Sequence, residues 1–183
     1  ASASITIDGK TAIDQTDGDA IEVDLGDTEN GQSVTIDDVT LNGSNGAGVQ
    51  VVDLDDNSGT SATVDITNST FSDNGIGLDV DDATKAGATL RAHFNTFDAN
   101  TKGVKVADLN VNGFEVNVTF NDYLNSDENG VVVTSQTGTD NVNARFSFWG
   151  SDAGPNSPGG DSVSAAASDA DTEPFLLQSA VEN

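Results

Sequence analysis

A chain of 183 residues is long enough for one domain with a buried core, and with no cysteine it holds neither a disulfide framework nor a thiolate metal site. Its 31 Asp and Glu against 6 Lys and Arg leave a formal net charge of −25, which argues against nucleic acid as a partner because binding phosphates requires basic groups. Such a surface repels itself in dilute buffer and suits molar salt, where the Debye length shrinks to about 3 Å, so the composition points to a halophile. Charge and scarce aromatics alone would also describe a disordered chain, but the residue register argues otherwise. No apolar stretch approaches the ~20 residues of a membrane span.

Residues 1–33 read as an imperfect first coil: Ile5 and Ile7 alternate with Thr6, Asp8-Gly9-Lys10 form a turn, and Ile21, Val23 and Leu25 alternate with Glu22 and Asp24. From Val34 an eight-residue pattern recurs. It reads VTIDDVTL at Val34, VDITNSTF at Val64, LRAHFNTF at Leu90, VNVTFNDY at Val116 and VNARFSFW at Val142, at intervals of 30, 26, 26 and 26 residues. A period of this kind is the signature of a solenoid. The first column is aliphatic (Val34, Val64, Leu90, Val116, Val142), the third small or aliphatic, and the eighth large (Leu41, Phe71, Phe97, Tyr123, Trp149). Polar residues between them give the period of two that marks a strand. A second alternation follows Gly48, Gly77, Gly103 and Gly130 in the first four copies. Two strands per turn of parallel β-structure are therefore expected.

The period slips where polar, glycine-containing loops intervene, Leu54–Ala62 and Asp81–Ala88. Asp55 with Asp56 and Asp81 with Asp82 there are candidate oxygen ligands for Ca²⁺, although neither run has the spaced Asp, Asn and terminal Glu pattern of a known Ca²⁺ loop. The sixth column (Val39, Ser69, Asn95, Asn121, Ser147) is expected to satisfy turn backbone groups by stacking. The fifth column holds three successive phenylalanines, Phe94, Phe120 and Phe146, expected to serve core or turn packing. After Trp149 come Gly150, Pro155, Pro158, Gly159 and Gly160, which end the strand pattern. An open solenoid end exposes unpaired strand edges and needs a cap. Pro174, Phe175, Leu176 and Leu177 are the candidate plug. No comparable cap precedes Ile5, so the first coil is expected to be covered by another subunit or by a preceding segment.

These repeats, followed by FWGSDAGP, PGGDSVS and DTEPFL, resemble the C-terminal end of right-handed parallel β-helix proteins of the pectin-lyase-like superfamily. The resemblance spans about Val34 to Leu177. It implies an all-β, right-handed parallel β-helix of about five coils, with residues 1–149 as coils and residues 150–183 as the closing segment of the same domain. It does not fix an activity, because the superfamily includes pectate lyases, hydrolases, epimerases, tailspikes, adhesins and inert stalks.

Lyases of that superfamily place a basic residue beside Ca²⁺ on an outward strand face, and hydrolases place two or three carboxylates there. The corresponding second and fourth columns carry Arg91, His93 and Arg145 on one face, with Asp65 one coil away at about 4.8 Å per coil. Lys102 and Lys105 extend the cluster by proximity in the chain. Arg91 would bind a uronate carboxylate and His93 would act as base near neutral pH. Against catalysis, no two carboxylates align in adjacent coils of that face, as two-carboxylate hydrolysis requires, and the few cations have carboxylates around them to balance. Three sequons, at Asn42, Asn68 and Asn117, are compatible with a glycosylated exterior protein, Asn42 in its Gly-rich turn being the most accessible.

The expectation from sequence is a non-enzymatic extracellular module of a halophile, an archaeal one by preference, structural or adhesive in a cell-surface layer, filament or virion. It would be a homo-oligomer or part of a larger assembly, with no cofactor unless Ca²⁺. The competing class is a carbohydrate-active enzyme or glycan-binding domain.

Overall fold

A computed structural model describes residues 4–24, 31–52, 62–81, 88–107, 115–134, 142–165 and 170–181. The first coil holds β1 (Ser4–Ile7), β2 (Ala12–Asp14) and β3 (Ile21–Asp24), and the second β4 (Ser33–Asp37), β5 (Thr40–Asn42) and β6 (Ala47–Val52). The third has β7 (Thr63–Thr67), β8 (Thr70–Ser72) and β9 (Ile76–Val80), and the fourth β10 (Thr89–His93), β11 (Thr96–Asp98) and β12 (Lys102–Ala107). The fifth has β13 (Glu115–Asn117), β14 (Asp122–Leu124) and β15 (Asn129–Thr134), after which come three two-residue strands, β16 (Val142–Asn143), β17 (Val163–Ser164) and β18 (Ala170–Asp171). All pairings are parallel. They form a first sheet β1-β4-β7-β10-β13-β16-β18, a second β2-β5-β8-β11-β14 and a third β3-β6-β9-β12-β15-β17. The chain is thus an all-β parallel solenoid of about five turns, and the first coil belongs to it, with Ile5 beside Val34 and Ile7 beside Ile36.

Each coil has three strands, not the two expected. The eight-residue pattern breaks at its fifth column, where Asp38, Asn68, Phe94, Phe120 and Phe146 all adopt positive φ, between 51° and 58°. A single left-handed residue turns the strand and starts a new one. Phenylalanine is not a turn-forming residue, which hides this corner in the sequence. A second corner of the same kind lies at Gln15, Gly43, Asp73, Ala99 and Asn125.

The interior is filled column by column. First and third columns are buried, from Val34 and Ile36 to Val142 and Ala144. The eighth column stacks as an inner aromatic ladder. Phe71 and Phe97 lie 4.7 Å apart, Phe97 and Tyr123 5.4 Å, and Tyr123 and Trp149 4.6 Å, all four wholly buried. The glycine column exists because of this ladder. A Cβ at Gly77 would lie 2.7 Å from the Phe97 ring and 2.5 Å from the Gly103 carbonyl oxygen.

Two polar ladders line the corners inside the coil. At the first, the Ser69 and Asn95 amides donate to the Oδ1 atoms of Asn95 and Asn121, at 3.0 and 2.9 Å, while Asn95 Nδ2 donates back to Ile66 O and Asn121 Nδ2 to Ala92 O. This is the stacking role expected of the sixth column. At the second corner Asn74 and Asn100 repeat the device, receiving the Ser44 and Asn74 amides at 2.9 and 3.0 Å. The second to fifth coils thereby satisfy backbone groups that would otherwise be buried without partners.

The two ends differ. At the N-terminal end β1, β2 and β3 are the outermost strands of their sheets, Ile5 is 57% exposed, and a cavity of about 150 Å³ is lined by Ile5, Ile7, Ile21, Val23 and Val34. At the C-terminal end the closing segment resumes the solenoid after its Pro- and Gly-rich stretch. Val163 pairs with Val131 and Ala170 with Val142. Phe175 packs against the core and over Gly154, where a Cβ would lie 2.6 Å from the ring, and the Leu176 amide donates to Ser147 O at 2.9 Å. Within the proposed plug Leu177 remains 69% exposed. Buried carboxylates fasten the closure: Asp161 accepts from the Ser126 amide and hydroxyl, and Asp122 accepts from the Ser179 hydroxyl and, at 2.6 Å, from the Ala180 amide.

Candidate functional site

The outward face of the first sheet presents the second and fourth columns. Register sets Asp65 on β7 directly beside Arg91 on β10, and Arg91 Nη1 lies 3.6 Å from Asp65 Oδ1, both side chains being about two-fifths exposed. His93, two residues on, has Thr67 as its strand neighbour and holds a 2.9 Å hydrogen bond between Nδ1 and the Thr119 hydroxyl. Partial burial pushes the imidazole pKa below its ordinary value, which favours the uncharged ring. Asp37, one coil before Thr67, accepts from the Thr67 hydroxyl at 2.6 Å and from Asn68 Nδ2 at 2.9 Å, and these bonds hold its pKa below the usual carboxylate range.

Arg145 does not join them. It lies two coils beyond His93 in the same column, about 10 Å at the usual strand spacing, and is paired with Asp171 of β18. Lys105 and Lys102 are also elsewhere, contrary to the expected extension of the cluster. The third strand of each coil enters a different sheet, where Lys105 Nζ contacts Asp79 at 3.0 Å and Lys102 contacts Glu128 at 2.7 Å. Burial raises the Asp79 pKa, with the Lys105 pair opposing it. The structure therefore brings Arg91, Asp65 and His93 to one patch and gives each of these four described Lys and Arg side chains a carboxylate in an adjacent turn.

Of the Ca²⁺ candidates, Asp55, Asp56 and Asp82 lie outside the described residues. Asp81 follows β9 and its amide donates to Val51 O at 3.0 Å. Among the described residues no group of three His, Asp or Glu side chains is placed to hold a metal ion. The sequon asparagines sit in ladders. Asn42 ends β5, just before the turn expected to hold it, and its Oδ1 accepts from the Ser72 hydroxyl. Asn117 Oδ1 accepts from Asn143 Nδ2, whereas Asn68 occupies the left-handed corner with its Nδ2 engaged by Asp37.

Two features escaped the sequence reading. The second polar ladder was marked by Ser44, Asn74, Asn100 and Ser126, each three residues beyond the eighth column. The other is the exposure of the fifth-column phenylalanines on a left-handed corner, the turn being one of the two places expected for them. They pack at the turn, not in the core: Phe94, Phe120 and Phe146 are 46%, 37% and 38% exposed and stack at 5.5 and 5.1 Å as an outer ladder between the first and second sheets.

No family model, curated protein or solved structure matches the chain. What it does must be argued from this geometry. Among the described residues no helix is long and apolar enough to cross a membrane.

Proposed function

We propose that this chain is a non-enzymatic extracellular module, structural or adhesive, in the surface layer, filament or virion of a halophile, archaeal by preference. The observation that carries the reading is the pairing of the candidate cations: Arg91 with Asp65 and Arg145 with Asp171, one coil apart, as charge balance demands. A catalytic face needs a base and an acid poised around a vacant reacting centre, and here His93 spends its Nδ1 on Thr119. The net charge of −25 supports a molar-salt setting. Glycosylation at Asn42 or Asn117 fits, since the bonds there engage the amide oxygen and not the nitrogen that a glycan would take.

The competing reading, a glycan-binding or carbohydrate-active face, is favoured by one observation: a half-exposed Arg91 two residues before an imidazole whose burial favours the uncharged ring. Incubation with uronate polymers in molar NaCl separates the two. The structural reading predicts no ultraviolet signal from unsaturated uronate, no new reducing ends and no glycan retention. Signal that disappears in Arg91→Ala would replace it with a lyase or hydrolase.

A further inference from the structure

The outward columns of the second sheet change character towards the C-terminal end. In the second to fourth coils they are polar, with Thr40, Thr70 and Thr96 in one column and Asn42, Ser72 and Asp98 in the other. The next places in these columns hold Asp122 and Leu124, and Phe148 follows beside Asp122. The closing segment crosses at this level, where the Ser179 hydroxyl and the Ala180 amide donate to Asp122. In doing so it does not bury its own apolar side chains. Leu177 and Val181 remain 69% and 39% exposed, and together with Leu124 and Phe148 they line an open cleft of about 450 Å³. That volume lies within the ~300–1,000 Å³ of small-ligand sites, whose walls are mostly apolar with a few placed polar groups.

The polar groups of this cleft select the ligand. Asp122 is 3% exposed, and among the described residues no cationic side chain pairs with it. Buried charges are ordinarily paired. Of the other buried carboxylates among the described residues, Asp79 has Lys105, and burial raises the pKa of Asp161 so that it favours the neutral acid. A carboxylate offers about four acceptor positions, and Ser179 and Ala180 take one on each oxygen of Asp122. The Thr96 hydroxyl and the Gln178 side-chain amide also line the cleft, and neither holds a protein hydrogen bond among the described residues. An ammonium group, with its three donors, matches these acceptors. A guanidinium fork does not, because it needs both carboxylate oxygens from one side and each already has a donor. A bare metal ion would leave the four apolar side chains without a role.

We propose that this cleft is a binding site for a small organic cation, a primary ammonium on an aliphatic or aromatic body, with Asp122 as its counter-ion and Leu124, Phe148, Leu177 and Val181 around the body. The site goes beyond the reading of the chain as a structural module and does not depend on it. Salt screens buried pairs much less than exposed ones, so binding persists in molar NaCl.

The test titrates the whole chain in molar NaCl with hexylammonium, and with hexanol as its neutral counterpart, while backbone amide shifts are followed by NMR. Saturable shifts centred on Leu124 and Ala180 are expected, with hexanol binding about tenfold more weakly because it forgoes the bond to a charged group. Asp122→Asn should weaken hexylammonium about tenfold and leave hexanol unchanged. Leu177→Ser, which leaves the bonds to Asp122 in place, should weaken both ligands alike. Asp98→Asn, an outward acid of the same sheet that does not line the cleft, should change neither. Should Asp122→Asn release the closing segment, the comparison of the two ligands on wild type and on Leu177→Ser decides the matter. Equal affinity for hexylammonium and hexanol, an Asp98→Asn loss as large as that of Asp122→Asn, or no saturable shift overturns the site and leaves the module reading standing.

Discussion

The solenoid carries two aromatic ladders in the same coils, with similar spacing and opposite surroundings. The inner one, Phe71–Phe97–Tyr123–Trp149, is wholly buried on extended backbone, and a glycine column makes room for it. The outer one, Phe94–Phe120–Phe146, is two-fifths exposed on left-handed backbone, at a corner that Asp38 and Asn68 turn equally well. Stacking alone therefore does not make a ladder part of the core. What separates them is whether the surrounding structure depends on the rings.

The largest expected effect lies in the inner ladder. Phe97→Ala would leave a cavity between Phe71 and Tyr123 and is expected to cost about 3–5 kcal/mol in denaturant unfolding. Gly77→Ala attacks the same contact from the other side and should cost about 1–3 kcal/mol or more, because the Gly103 carbonyl cannot give way as a flexible side chain would. A chain indifferent to both changes would erase the distinction between the ladders.

Next comes the polar ladder that accompanies the inner ring column. Asn121→Ala removes the acceptor of the Asn95 amide and the donor to Ala92 O, both buried, for an expected loss of about 3 kcal/mol. Asn121→Asp keeps the acceptor, and at low pH its protonated acid offers one O–H donor in place of the amide, so it should fall between Ala and wild type there and lose stability as the acid ionises.

Asp161 yields a smaller effect with a sign in pH. Burial raises its folded pKa, the Ser126 bonds opposing, so the fold favours the protonated acid. Its stabilising contribution is complete below the unfolded carboxylate value of about 3.9 and is lost as pH rises through the folded value. The melting temperature of wild type relative to Asp161→Asn should therefore rise as pH falls through the folded value towards the unfolded carboxylate value of about 3.9. Asp37 runs the other way: its pKa is depressed, so its contribution is present above about 3.9 and is lost in stronger acid. A flat difference between wild type and Asp161→Asn would remove the buried charge from the account of the closure.

Smallest is the outward face. Arg91→Ala breaks a half-exposed pair and should change stability by about 0–1 kcal/mol, less in molar salt than in dilute buffer. The global salt effect is larger and independent of any one pair: lowering NaCl from molar to about 0.1 M lengthens the screening distance to about 10 Å and should lower the melting temperature markedly at a net charge of −25.

Most of this architecture was legible because a solenoid repeats each packing decision. Val34, Val64, Leu90, Val116 and Val142 announce the interior, and the large residues from Leu41 to Trp149 announce its aromatic spine. The corner at Phe94, Phe120 and Phe146 was not legible, since left-handed backbone is signalled by Gly, Asn or Asp and these coils use phenylalanine. Asp38 and Asn68 in the same column carried the correct signal for the earlier coils. At the candidate site the sequence placed Asp65, Arg91 and His93 on one face, because alternation fixes faces. It could not assign Lys105 to another sheet without the extra corners, nor pair Arg145 with Asp171, whose strand lies beyond the repeats.

The most direct measurement is a thermal melt in molar NaCl of Phe94→Asn/Phe120→Asn/Phe146→Asn beside Phe97→Ala. At about 2–4 °C per kcal/mol for a chain of this size, the inner variant should lose about 10 °C. The outer triple variant should melt within a few degrees of wild type or above it, because asparagine accepts the left-handed corner more readily than phenylalanine. A triple variant that melts as low as Phe97→Ala would contradict the account, for it would make the outer ladder part of what holds the solenoid together.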